Sequence, residues 1–390
     1  VIGKLRNHID HWTLYPVIFL MLMSLSIVYS ASAYFAQNRF QGDSERLLIS
    51  HAIKVVLALA ALLVGMRIDY HIVRRFSKQA LMIIVGVLFL TLVIGLAAKG
   101  ATRWLDFGLF GFQPSELAKY ALLFHLCVLI SAKGEAIHDF KRGFLPMMIW
   151  VGIVSLLVLL QPNFSMGAMI FLLSMVVVFL GRAKLSHLAL TLGSLVPALI
   201  GYMLLAPYRM KRIIDYLSGT AGDGSPGYQL LQALHAFANG GIFGVGPGES
   251  RQRDMFLPES YGDFIYAIIG EEWGFIGTAV VMLIFLWILY RGFKISRFAE
   301  DELGRMLALA ITLAIVTYGL INACVTLGLL PTTGLPMTFI SYGGTSMIMS
   351  AFSIGLLLNI SSQTEMHPRI RQVPVVGTVR ADDASIGKVY

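Results

Sequence analysis

Again and again the chain runs for about twenty residues with almost no charged side chain, the length at which an α-helix crosses a hydrocarbon core ~30 Å thick. Ten such runs are present, at 16–37, 48–66, 80–98, 114–132, 144–160, 164–180, 188–206, 263–290, 306–329 and 341–361. The expected fold is an all-α integral membrane protein, a bundle of about ten transmembrane helices. Composition agrees: 13% of residues are charged and 57% hydrophobic, against roughly 25% charged in soluble domains. Gln161, Pro162 and Asn163 alone join the fifth and sixth runs, which makes a tight hairpin. Other connections are short except residues 207–262, a large extracytoplasmic loop between helices 7 and 8. The first run is too long for a signal peptide and lacks a small-residue cleavage site, so none is expected.

Lysine and arginine set the orientation. With a cytoplasmic N-terminus the inner segments hold 19 of them and the short outer loops 4. The 5 in residues 207–262 do not count, because long loops are exempt from the positive-inside rule. Both termini are therefore expected in the cytoplasm and the 207–262 loop outside. The net charge of +8 is accounted for by this placement and calls for no nucleic acid. Residues 1–365 are read as the polytopic domain. Residues 366–390 mix charge, Gly and Pro without a period, and are expected to be a disordered cytoplasmic tail. Cys127 and Cys324 fall inside apolar runs as packing residues rather than a disulfide, and no metal-ligand spacing is present.

Against this apolar background the polar groups stand out. Asp263 sits where the polar stretch 256–262 enters an apolar helix, and a carboxylate at a membrane boundary needs water or a polar site. An N-cap is the plainer role, and the two can coexist. Glu116 and Lys119, at i and i+3 in the fourth run, either neutralise each other on one helix face or line a cavity. Arg103 beside Trp104 suits an interface anchor or a lipid phosphate. Lys54, two turns inside the second run, could snorkel outwards, and His125 reads as a packed or hydrogen-bonded histidine rather than a ligand. Glu271 and Glu272 stand about 12 Å along the helix from Asp263, and read as structural carboxylates. In the outer loop Arg209, Lys211 and Arg212 form a basic cluster, either a lipid-surface helix or a phosphate site. Tyr228 to Asn239 reads as an amphipathic helix with a polar stripe of Gln232, His235 and Asn239. The glycines of GGIFGVGPGES allow tight turns or close backbone approach, without a dinucleotide fingerprint.

Several long segments carry a family resemblance. They are GATRWLDFGLFGFQPSELAK, LLQP at 159–162, GYQLLQALHAFANGGIFGVGPGESRQ, FLPESYGDFIYAIIGEEWGFIG, and LGLLPTTGLPMTFISYGGTSM at 327–347. Together they resemble the SEDS family (shape, elongation, division and sporulation) of bacterial membrane proteins over about residues 10–361. GVGPGESRQ with LPTTGLP is nearer to its cell-division branch, FtsW, than to its elongation branch, RodA. The resemblance implies a peptidoglycan glycosyltransferase that polymerises lipid II at the outer face of the cytoplasmic membrane, at the division septum. It implies a class B penicillin-binding protein as partner, with other divisome membrane proteins. The family's catalytic aspartate falls on Asp263, and its basic and acidic positions on Arg103, Glu116 and Lys119. Gln161, His235 and Ser341, in matched segments, join the candidate substrate-binding positions. Two departures matter: Tyr261-Gly262 replaces His-Thr before the aspartate, and Gln161-Pro162-Asn163 replaces Gln-Pro-Asp.

Glycosyl transfer from a lipid pyrophosphate needs a base for the attacking hydroxyl and cations for the leaving group. Asp263 fits the first need; Arg103, Lys119, Arg209, Lys211 and Arg212 are candidates for the second. A divalent cation, Mg or Mn, could bridge the pyrophosphate oxygens, but the sequence shows no dedicated ligand cluster. Two other classes remain open: a lipid II flippase, and a non-catalytic divisome scaffold.

Overall fold

The computed structural model describes residues 9–97, 103–106, 111–204, 226–255, 257 and 260–364. Helices α1 (His11–Arg39), α2 (Arg46–Arg67) and α3 (Ile72–Ala97) are followed by a two-residue antiparallel ladder, β1 (Leu105–Asp106) on β2 (Gly111–Phe112). Then come α4 (Pro114–Lys133), α5 (Leu145–Leu160), α6 (Phe164–Leu180) and α7 (Leu185–Leu204). Helices α8 (Pro226–Gly240) and α9 (Gln252–Met255), in the connection after α7, precede α10 (Ile265–Arg297), α11 (Glu302–Thr326) and α12 (Gly344–Ser362). Among the described residues 8 helices are long and apolar enough to cross a membrane, and α6 and α7 are shorter apolar helices. These ten correspond to the ten apolar runs. The amphipathic helix read at 228–239 is α8; the 366–390 tail and the Arg209, Lys211 and Arg212 cluster lie outside the described residues.

Helices α11 and α12 are buried over most of their length and form the centre of the bundle. Packing between α2 and α12 is backbone to backbone. A Cβ on Gly65 would lie 2.4 Å from the Phe352 carbonyl, and one on Gly355 would lie 2.3 Å from the Leu62 carbonyl. Small residues at the crossing let helices approach this closely where lipid offers no hydrophobic drive to associate.

The helix ends on the side of the N-terminus are pinned by polar bonds. Arg291 of α10 pairs through Nε and Nη2 with the fully buried Asp10 ahead of α1. Asn359 accepts from the Tyr70 backbone N–H at 3.1 Å and donates to the Met66 carbonyl at 3.0 Å. In the α2–α3 turn the Tyr70 hydroxyl donates to Asp301, which also caps α11 by accepting from the Gly304 N–H. Burial, and then that bond to Asp301, hold the Tyr70 phenol well above its ordinary range, so it remains a donor at any physiological pH.

The eighth run departs from expectation. Instead of one span over 263–290, α10 is broken at Gly274, whose φ of 66° and ψ of −163° suit glycine alone. A break frees carbonyls on one side and N–H groups on the other, and at membrane depth each must find a partner. The glycine-rich loop supplies them. Val245 and Gly246 donate to the carbonyls of Glu271 and Glu272, while Phe275 and Ile276 donate to those of Gly241 and Ile242. Only glycine fits the seam: a Cβ on Gly240 would lie 1.9 Å from the Gly270 carbonyl, and one on Gly244 2.2 Å from that of Glu272. The close approach anticipated for these glycines is therefore to the protein's own backbone. Side chains reinforce it, because Glu271 accepts from Ser250, the Gln252 N–H and Asn239, and Glu272 accepts from Ser30 with Arg253 3.6 Å away.

Gly240→Ala should cost about 1–3 kcal/mol through overpacking, read as a lower melting temperature in detergent. Gly86→Ala and Gly152→Ala, where an added Cβ meets nothing within 4 Å, should leave melting unchanged or slightly raised.

Candidate functional site

Asp263 lies in the turn Tyr261–Phe264, half-buried, one residue ahead of the N-cap position Phe264. The expected cap position is thus displaced by one. Three neighbours fix this turn through its backbone. Asn322 of α11 donates from Nδ2 to the Asp263 carbonyl at 2.7 Å and to the Leu335 carbonyl at 2.9 Å. Ser341 donates to the Gly262 carbonyl at 2.7 Å and accepts from the Met337 N–H at 2.8 Å. Tyr342 donates its N–H to the Tyr261 carbonyl, and its ring meets the Tyr261 ring edge-on at 5.6 Å. Ser341 is buried and engaged on both sides, so it holds the turn in place. Opposite the carboxylate stands Gly334, at φ 70°, where a Cβ would lie 3.1 Å from Asp263 Oδ2. The 327–343 segment thus comes close to the carboxylate at Gly334.

Glu116 and Lys119 form a 2.8 Å ion pair with side chains 2% and 1% exposed. The Lys119 ammonium lies 3.7 Å from the Tyr318 ring centroid and 4.8 Å from that of Tyr120. Both phenols are bonded in turn, Tyr120 to Ser350 and Tyr318 to Met166 Sδ. Of the two readings of this pair, the geometry is that of mutual neutralisation within a ring of aromatic walls. Arg103 donates to the Pro162 carbonyl at 2.6 Å, and Gln161 is buried and donates to the Leu88 carbonyl at 2.8 Å. Two candidate positions distant in sequence are thereby brought together: Arg103 is tied to the α5–α6 hairpin, which Gln161 ties to α3. His235 is exposed on α8 and is not brought to Asp263 by any described contact.

Lys54 corrects the sequence reading. It does not snorkel but is 9% exposed, with Nζ 3.4 Å from the Tyr342 ring centroid and its stem against Gly344. Helix α2 presents this face to α12, not to lipid, which an apolar run alone does not reveal. His125 is packed as expected, bonded to Ser77 and edge-on to Trp150. Asn322 was missed because a lone amide in an apolar run carries no local signal of its partners. Among the described residues no group of three His, Cys, Asp or Glu side chains could hold a metal ion. These residues do not themselves build a site for Mg or Mn.

Fold and site define a multi-pass membrane protein with a carboxylate at one boundary, its turn bonded to central helix α11 and to the 327–343 segment leading into α12. The model of the FtsW/RodA/SpoVE cell cycle proteins matches residues 11–366, and the chain belongs to that family. A probable peptidoglycan glycosyltransferase FtsW from Geobacter metallireducens is 38% identical over 366 residues, covering 90% of this chain and 96% of the relative. Stage V sporulation protein E of Bacillus subtilis is 36% identical over 348 residues, covering 88% and 94%. The chain is nearer to FtsW than to RodA. Among solved structures, a chain described in terms of polymerization and crosslinking by a peptidoglycan synthase complex superimposes with TM-score 0.74. Its identity is 22%, with 93% of this chain and 99% of that one covered. RodA of Thermus thermophilus gives TM-score 0.64 at 22% identity, covering 90% and 96%. At that identity the likeness speaks for the fold.

The buried pair yields a two-part expectation. Lys119→Met alone leaves Glu116 uncompensated in the core and should cost about 3–5 kcal/mol, seen as a large drop in melting temperature. Adding Glu116→Gln should recover most of that drop.

Proposed function

We propose that the protein polymerises lipid II into glycan strands at the outer face of the cytoplasmic membrane, in septal wall synthesis, with Asp263 as general base. The observation that carries this reading is the placement of Asp263. It is a half-buried carboxylate at the entry to α10, backbone-pinned by Asn322 and Ser341, with Gly334 beside it where any added Cβ would crowd its Oδ2. The names of the FtsW relatives support the reaction class. In the reaction a sugar hydroxyl attacks the anomeric carbon of a second lipid-linked saccharide. Its proton passes to the Asp263 carboxylate as the bond from that carbon to the lipid pyrophosphate breaks. A positioned base of this kind contributes typically 10²–10⁴-fold, and a turn fixed from three sides keeps it within reach of the hydroxyl. The bonds from Asn322 and Ser341 run to carbonyls of the turn. A class B penicillin-binding protein is the partner this reading calls for, supported by the synthase complex that shares the fold.

A flippase draws support from one feature, the broken helix, since transporters place substrates at such breaks. Here, however, the freed backbone groups around Gly274 are taken up by the glycine-rich loop rather than turned towards a cavity. The polymerase reading is therefore preferred.

Asp263→Asn keeps size and capping capacity but cannot take a proton. Protein with wild-type melting behaviour should make no glycan strands from purified lipid II in detergent, analysed on gels. A wild-type yield of polymer from the stable variant would remove Asp263 from the chemistry. Orientation is checked separately: in intact cells a membrane-impermeant thiol reagent should label Gly222→Cys and spare Ala136→Cys, in a background lacking Cys127 and Cys324.

A further inference from the structure

Three basic side chains are buried among the described residues, Lys54, Lys119 and Arg291. Lys119 is paired with Glu116 and Arg291 with Asp10. Lys54 has no carboxylate partner among the described residues; its ammonium rests on the face of Tyr342. A cation kept from water without an anion is costly, and such a group in a membrane protein marks a place where an anion comes and goes. One turn away on the same helix, His51 is fully buried. Its Nε2 is bonded to Ser24 at 2.8 Å, its Nδ1 is without a partner among the described residues, and its ring lies 5.7 Å from that of Tyr342.

Lys54 also forms part of the wall of a cavity of about 170 Å³ whose other walls include Leu57, Phe112, Leu117, Ile348 and Met349. Apolar cavities of roughly this size, ~150 Å³, take up guests as large as benzene. The cavity is a built one. Thr345 accepts from the Gln113 N–H at 3.1 Å and donates to the Gly111 carbonyl, fastening the β1–β2 ladder over α12. A cation at an apolar cavity within the membrane is chemistry for one kind of ligand, a hydrocarbon chain ending in phosphate. The same cation touches the ring of Tyr342, whose backbone holds the turn of Asp263.

We infer that Lys54, against Tyr342, binds the phosphate group of a long-chain lipid whose first carbons occupy this cavity. Two lipids supply that chemistry: the polyprenyl pyrophosphate end of the proposed substrate or product, and an anionic phospholipid of the surrounding leaflet. The first source rests on the proposed function; the binding site itself does not.

Purified protein is titrated in detergent with undecaprenyl pyrophosphate, phosphatidylglycerol and uncharged undecaprenol, with bound lipid counted by native mass spectrometry. Lys54→Met keeps the long stem on Tyr342 and Gly344 but removes the charge. It should weaken binding of the phosphate lipid at least tenfold while leaving the weaker binding of undecaprenol unchanged. Should Lys54→Met fold poorly, Ile348→Trp, which fills the cavity and leaves the charge, should weaken the same lipid to a similar extent. Tighter binding of undecaprenyl pyrophosphate assigns the site to the substrate, and tighter binding of phosphatidylglycerol assigns it to the leaflet. Equal binding of both phosphate lipids by wild type and folded variants overturns the site. No turnover is involved, so that failure leaves the Asp263 assignment standing, and inactive or active Asp263→Asn leaves this site standing.

Discussion

Everything around Asp263 depends on how the broken helix satisfies its backbone. A membrane-spanning helix normally needs no help, because each N–H finds the carbonyl four residues back. At Gly274 that ladder stops, and the four bonds to residues 241, 242, 245 and 246 take over. The short segment Ile265–Trp273 is thereby released from the direction of the long span Phe275–Arg297 and can be buried against the bundle. Its first residues inherit their position from this arrangement, and Asp263 stands just ahead of them. A carboxylate at the end of a straight span would instead be set by the tilt of that span in the bilayer.

The polar interior is organised by the same economy. Two of the three buried cations among the described residues are neutralised locally, Lys119 by a residue one turn away and Arg291 by the segment preceding α1. The Arg291 pair ties α10 to the segment ahead of α1, whereas the Lys119 pair is closed within α4, each at the expense of desolvation. The third, Lys54, has its ammonium on an aromatic face and no carboxylate partner among the described residues, which offsets part of the cost of burial but leaves the charge available. Charge that is consumed by the fold and charge that is held ready can thus be told apart by counting partners.

Much of this was legible in the sequence. Spans are local facts, since twenty apolar residues declare themselves without reference to anything else, and the ten runs correspond to ten helices. The Glu116–Lys119 pair was legible for the same reason, its partners being three residues apart. Asp263 was visible as a carboxylate at a boundary, and α8 as a polar stripe. What could not be read were relations across the chain. Glycine is common in membrane helices, so Gly274 signalled no break until the loop thirty residues earlier was seen to fill it. The direction of Lys54 depends on the rotation of α2 about its axis, which the crossing at Gly65 and Gly355 decides. Asn322 and Ser341 hold the Asp263 turn through carbonyls, and carbonyls are invisible in a sequence.

The seam between the glycine-rich loop and α10 also orders events during synthesis. Its loop half leaves the ribosome before its helix half has been made. Until α10 is inserted, the N–H groups of Val245 and Gly246 and the carbonyls of Gly241 and Ile242 have only water for partners. Conversely, Gly274 cannot settle at membrane depth before that loop is in place, because its freed neighbours would face hydrocarbon. The seam can therefore close only once the eighth helix has been made, and its formation is the event that completes both halves.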